Sequence, residues 1–323
     1  MFVGQIWSPI ISGMFCTLGL CFGTLAQATP QEPLRVVASF SILADMVSEV
    51  GGDEVHVTSL VGRNADAHVF DPTPLDAKAL AKADVVVING LGFEGWINRL
   101  IKSSGFNGRL IVASTGIDVL RRQDDHGHAS HNDQHDQHNH DHDHGDGDGQ
   151  DPHAWQSLQN AVIYVNNIRD GLIKARPSGA HDINRRSDHY IGQIKALDQQ
   201  TRQRIAAIAK DKRRVISSHD SFEYFAQAYD ITFYGLQGWT TEREVSAADM
   251  ANLVREIRHD KVQALFVENM SDSRLLQRVA EEAGVRIGGK LYSDALSPPG
   301  TEADTYLKMF AFNVDQIVNA LKP

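Results

Sequence analysis

The chain has 323 residues, 42% hydrophobic and 22% charged, with a formal net charge of -10. This length and an ordinary apolar fraction predict a globular protein of about two domains. The negative balance, with no basic stripe, excludes a nucleic-acid partner. The acidity is local: residues 121–151 hold nine Asp against Arg121 and Arg122, and the remaining body is close to neutral.

Residues 1–28 carry no charge, residues 10–25 are apolar or small, and Ala26-Gln27-Ala28 is an A-x-A-type cleavage site. The stretch reads as a cleaved export signal, although no Lys or Arg precedes Arg35 where a signal has its positive n-region. The competing reading is an uncleaved anchor, for which the interrupted run is short of the roughly 20 residues a span needs. Both cysteines, Cys16 and Cys21, lie inside it, and the bulky Leu20 before Cys21 argues against a lipoprotein site. The exported chain is then expected to have neither a disulfide nor a thiolate metal site, and it is large enough to need no staple.

From Pro33 short apolar runs alternate with helical patterns. Residues 34–38, 55–61, 84–89 and 109–113 read as strands; 42–50, 75–83 and 95–103 read as helices. A polar tract follows at 126–144, with His126, His128, His131, His135, His138, His140, His142 and His144 among Asp and Asn. That composition binds metal, and imidazole suits zinc, copper and nickel. A solvated loop with incidental affinity is the plainer reading. Residues 156–175 read as a helix, broken at Arg176-Pro177-Ser178-Gly179. Residues 180–210 then run almost without Gly or Pro and would make a helix about 45 Å long, either one rigid connector or two kinked pieces. Alternation resumes, with strands at 214–217, 231–234 and 264–268. Further strand material lies at 285–287 and 290–292, with helices at 221–229, 247–259, 273–283 and 301–321. The expected fold class is α/β: two similar lobes, 33–176 (with the insertion at 121–150) and 212–323, bridged by a long helix over 177–211. Parallel sheets of this kind bind ligands at the carboxyl ends of their strands.

Seven histidines lie outside the tract. His181, His189 and His259 fall in helices among charged residues, and His56 is mid-strand, a structural position. His68, His153 and His219 sit in polar turns next to strand ends, and Asp294 follows the last strand. Three imidazoles and a carboxylate make a sensible tetrahedral zinc set, though any one loop histidine is as easily a surface residue. Asp66, Asp71, Asp151 and Asp220 are candidates to hold the imidazole N–H groups, or simply turn residues.

Three segments carry a resemblance. Asp66-Ala67-His68-Val69-Phe70-Asp71-Pro72-Thr73-Pro74, Asp151-Pro152-His153-Ala154-Trp155 and Ser218-His219-Asp220-Ser221-Phe222-Glu223-Tyr224-Phe225 resemble, in order, three motifs of the zinc and manganese ABC-transporter solute-binding proteins, the ZnuA/TroA-like family. The likeness covers essentially all of the chain after the signal. It implies two lobes joined by one long rigid helix, with the metal in the inter-lobe cleft held by His68, His153, His219 and Asp294. His at 219, where manganese binders have Glu, implies Zn(II) as the cargo. Ser221 departs from the family's Ala, and the tail from Ser297 to Tyr306 looks closer to the AztC-like branch. The function implied is periplasmic zinc capture for an inner-membrane ABC permease. A zinc metallochaperone is a candidate second partner, and a monomer is expected. A manganese-binding member, a surface adhesin and a zinc hydrolase using Glu223 or Glu268 as general base are the rivals. No H-E-x-x-H signature supports the last, and the adjacent Ser218, His219 and Asp220 cannot form a triad.

Overall fold

A computed structural model of the chain describes residues 1–5, 32–121, 149–238, 241 and 245–322. Two compact units result, Met1–Glu32 and Pro33–Pro323. Of the first, residues 1–5 are exposed and without regular structure; the expected export signal falls largely outside the described residues. Among the described residues no helix is long and apolar enough to cross a membrane.

The second unit opens with β1 (Leu34–Phe40), α1 (Ser41–Gly51), β2 (Val55–Val61), α2 (Pro74–Lys82), β3 (Val85–Ile88), α3 (Ile97–Ser104), β4 (Arg109–Val112) and α4 (Leu158–Ala175). Its four strands are parallel in the order β2-β1-β3-β4. The run Val85-Val86-Val87-Ile88 is buried at every position because helices cover both faces of a central strand. β2 is an edge strand, and His56 on it is exposed rather than structural.

Next comes α5 (Ala180–Ala206), one unbroken helix of 27 residues, about 40 Å long. It buries Ile183, Ser187, Tyr190, Ile194, Thr201 and Ile205, a stripe at helical spacing. The second lobe follows: β5 (Arg214–His219), α6 (Glu223–Tyr229), β6 (Thr232–Gln237), α7 (Ala247–Asp260), β7 (Ala264–Glu268), α8 (Ser273–Ala283), β8 (Ile287–Leu291) and α9 (Tyr306–Leu321). Its parallel order, β6-β5-β7-β8, repeats that of the first lobe.

α5 packs against α1 and α4 of the first lobe and against α6 and α9 of the second. A single apolar core runs across the junction, from Phe40, Leu43 and Trp155 to Phe222, Phe225 and Phe310. A separate cluster, with Ile216, Leu253 and Leu276, lies among the second sheet, α7 and α8.

Several expected boundaries move, each for a local reason. The connector stops at Ala206 instead of 210, since Lys210–Lys212 form a 3-10 turn. Residues 154–156 form a 3-10 turn, and α4 starts behind Ser157, whose hydroxyl accepts from the Asn160 N–H. The two strand fragments merge into β8, with a shift of register beside Leu265 and Phe266 that interrupts the alternation. α9 begins at Tyr306, not 301. Residues 297–304 are tied into turns, with Gly300 N–H donating to Asp304, and Thr305 caps the helix by accepting from Lys308.

Candidate metal centre

The four candidate ligands all follow carboxyl ends of strands. His68 comes after β2, His153 after β4, His219 ends β5, and Asp294 follows β8. Each loop is shaped by its own sequence. Asp66 Oδ1 accepts the His68 backbone N–H at 2.9 Å, an Asx turn. Asp151 Oδ1 does the same for His153 at 2.9 Å. The Pro152 carbonyl is held by Asn89 Nδ2 at 2.9 Å, and Asn89 Oδ1 in turn accepts from Tyr164. The His68 ring packs edge-on to Phe93, which also touches His153 and Trp155.

The fold brings the four together. His68 Nε2 and His153 Nε2 are 3.3 Å apart, and His219 Nε2 and His153 Nε2 3.4 Å. Asp294 Oδ2 lies 3.4 Å from His68 Nε2 and 3.2 Å from His219 Nε2, while its Oδ1 is 3.8 Å from His153 Nε2. A tetrahedral ion with bonds of about 2.0–2.1 Å needs ligand edges of about 3.3 Å. Four of these separations fit that size without movement.

Burial makes the arrangement costly without a cation. His153, His219 and Asp294 have no exposure and His68 only 7%. The Asp294 oxygens make no well-formed hydrogen bond among the described residues and face the imidazoles instead, and a buried carboxylate without a positive partner costs several kcal/mol. Burial raises the Asp294 carboxyl, but the His219 and His153 rings outweigh it and hold it well below the usual range. Burial lowers His219, but Glu268 and Asp294 outweigh it and raise it well above its ordinary value. Burial prevails at His68, which is lowered despite Asp294. The cavity therefore attracts positive charge, as a proton or as a metal.

Behind the rings, His153 Nδ1 lies 2.8 Å from Asp151 Oδ1, and His219 Nδ1 lies 2.7 Å from Glu268 Oε2. Such contacts turn the Nε2 lone pair toward the cavity. Of the four aspartates suspected of this role, only Asp151 has it. Asp66 serves the backbone of His68, and Asp71 is exposed. Asp220 lies against Gly235, where only glycine leaves it room. Glu268, a candidate base only in the rival hydrolase reading, faces His219 from the end of a buried strand, Ala264-Leu265-Phe266-Val267-Glu268. Trp155 Nε1 and Gln156 Nε2, just after His153, both donate to the Ser293 carbonyl at 2.9 and 2.7 Å, and so fix the segment that carries Asp294.

His181, His189 and His259 are exposed on helices, as expected. The tract histidines, His126, His128, His131, His135, His138, His140, His142 and His144, lie outside the described residues. The flanking Arg121 and Gln150 pair as an isolated antiparallel bridge.

A family model described as the periplasmic component A of the zinc-uptake complex matches residues 36–320. The metal ABC-transporter substrate-binding lipoprotein SsaB of Streptococcus sanguinis is 29% identical, covering 95% of both chains. The iron ABC-transporter substrate-binding lipoprotein MtsA of Streptococcus pyogenes is also 29% identical, over 97% of each. Among solved structures, the periplasmic zinc-binding protein TroA of Treponema pallidum superposes with a TM-score of 0.79 at 27% identity. It covers 90% of this chain and 100% of that one.

Proposed function

Since the chain belongs to the ZnuA/TroA family of periplasmic metal-binding substrate-binding proteins of ABC transporters, we propose that it captures one Zn(II) ion at His68, His153, His219 and Asp294. It then hands the ion to an inner-membrane ABC permease. The observation that carries this is the convergence of three Nε2 atoms and one carboxylate that meets no group but those imidazoles among the described residues, all buried and all within 4.8 Å of one another. Three imidazoles with one carboxylate suit zinc better than the oxygen-rich octahedral sets of manganese. Export to the periplasm, by a cleaved signal or a lipid anchor as in the lipoprotein relatives, belongs to the same reading.

Manganese or iron is the second reading. Its support is Asp294 Oδ1, which is also unpartnered and could join Oδ2 on a larger ion, together with the iron named for MtsA. A hydrolase is disfavoured by geometry. Four convergent ligands leave no open position for water, and Glu268 faces His219 Nδ1, on the side of the ring away from the cavity.

Metal titration decides. His153→Ala or His219→Ala is expected to abolish tight 1:1 zinc binding, and deletion of residues 126–144 to leave it in place. The reverse pattern would move the site to the His-rich tract. Competition between zinc, manganese and iron on the wild-type chain separates the two metal readings.

A further inference from the structure

Glu268 faces none of the metal-directed atoms, is 1% exposed, and ends the strand that lies between two ligand-bearing strands. β7 pairs with β5, which ends in His219, and with β8, which leads to Asp294. Its carboxylate serves both neighbours. Oε1 accepts the His219 backbone N–H at 3.0 Å, and Oε2 lies 2.7 Å from His219 Nδ1. Oε2 also accepts the Ser293 hydroxyl at 2.5 Å. Ser293 immediately precedes Asp294, and its carbonyl receives Trp155 and Gln156 from the segment after His153. Three of the four ligands are thereby tied into one connected set. His68 stands apart, held by Asp66 and Phe93.

We infer that Glu268 is the positioning residue of this centre. Through the Ser293 hydroxyl it locks His219 and Asp294 to each other, so the tetrahedral spacing is set by β7 as well as by the ligands. The inference rests on the zinc-site reading above. A Gln at 268 has the same shape but one acceptor oxygen, and it cannot serve the His219 N–H, the His219 ring and the Ser293 hydroxyl as the carboxylate does. An Ala at 293 leaves the charge beside His219 and cuts only the link to Asp294.

The experiment measures zinc affinity by chelator competition on wild type, E268Q and S293A. Alongside, it records visible spectra of the Co(II)-loaded proteins, whose d–d bands are intense for four-coordinate and weak for higher-coordinate geometry. Thermal unfolding of the metal-free chains checks that each variant is folded. E268Q is expected to weaken zinc about 10–100-fold, the usual range for partners of metal-bound imidazoles, and to dim the Co(II) bands. S293A is expected to lose several-fold with the same spectral trend. Unchanged affinity in E268Q overturns the inference, as does weakened affinity with an unaltered Co(II) spectrum. If E268Q fails to fold, S293A decides by the same two readouts. Should wild type itself bind no zinc in the cleft, it is the zinc reading that fails, an outcome distinct from normal wild-type binding with an indifferent E268Q.

Discussion

The imidazoles of this cleft are made into a site by the carboxylates around them. Asp151 stands to His153 as Glu268 stands to His219, one carboxylate oxygen within 2.8 Å of each Nδ1. Asp151→Asn removes that negative charge and is expected to lower zinc affinity about 10–100-fold, read by chelator competition, with 1:1 stoichiometry kept. The pH dependence follows from the same contacts. Zinc needs neutral imidazoles, and His219 is raised above its ordinary value by Glu268 and Asp294. Proton competition therefore begins on the alkaline side of the reference value of about 6.5, earlier than an unperturbed histidine would give. Zinc affinity should already be falling before the pH reaches about 6.5, and a profile flat down to about pH 6.5 would refute it. The three histidines and Asp294 were legible as types at loop positions. Glu268 was not, because its role depends on strand neighbours some 50 residues apart in sequence.

At the level of elements, α5 and the contact between α1 and α9 hold the lobes. Gly192 lies within α5, and a Cβ there would meet no atom within 4 Å. Gly192→Ala is expected to raise the unfolding free energy by about 0.5–1 kcal/mol in urea titration. Asp45 on α1 accepts the Tyr306 N–H at the start of α9 at 2.8 Å. Burial, the largest influence, pushes its carboxyl up to about 6 against that hydrogen bond. A folded-state value above the unfolded one means the native chain holds this proton more tightly. Its contribution to stability is present below about pH 4 and is lost as pH rises through about 6. Asp45→Asn should remove that slope and leave the chain about 1–3 kcal/mol more stable at neutral pH, as measured by unfolding at several pH values. The helix and strand alternation was legible because burial on two faces imposes unbroken apolar runs such as Val85–Ile88. The start of α9 was not, since residues 301–305 look helical locally and are claimed by turns involving Ser297 and Asp304.

For the whole molecule, the decisive fact is that one apolar core spans both lobes and is crossed by α5. Metal capture is then expected to change the radius of gyration little, and solution scattering with and without zinc would show it. Because the proposed ligands come from both lobes, zinc is expected to stabilise the native chain as a unit. At a free concentration of 100 times its dissociation constant the gain is about 2.7 kcal/mol, visible as a rise in Tm that a chelator reverses. A Tm indifferent to zinc would speak against the cleft as the site.

The sequence by itself determined the class of the fold, the metal-seeking residue types and the family, because hydrophobic period and short motifs are local properties. It also announced a metal through the His-rich tract at 126–144, whose role in capture is left to the deletion variant. Only the tertiary structure decided that His68, His153, His219 and Asp294 meet, with ligand atoms within 4.8 Å of one another, and that Glu268 and Ser293 tie two of them together. Those facts depend on which strands become neighbours and in what register, and parallel pairing joins residues whose separation along the chain carries no local signal.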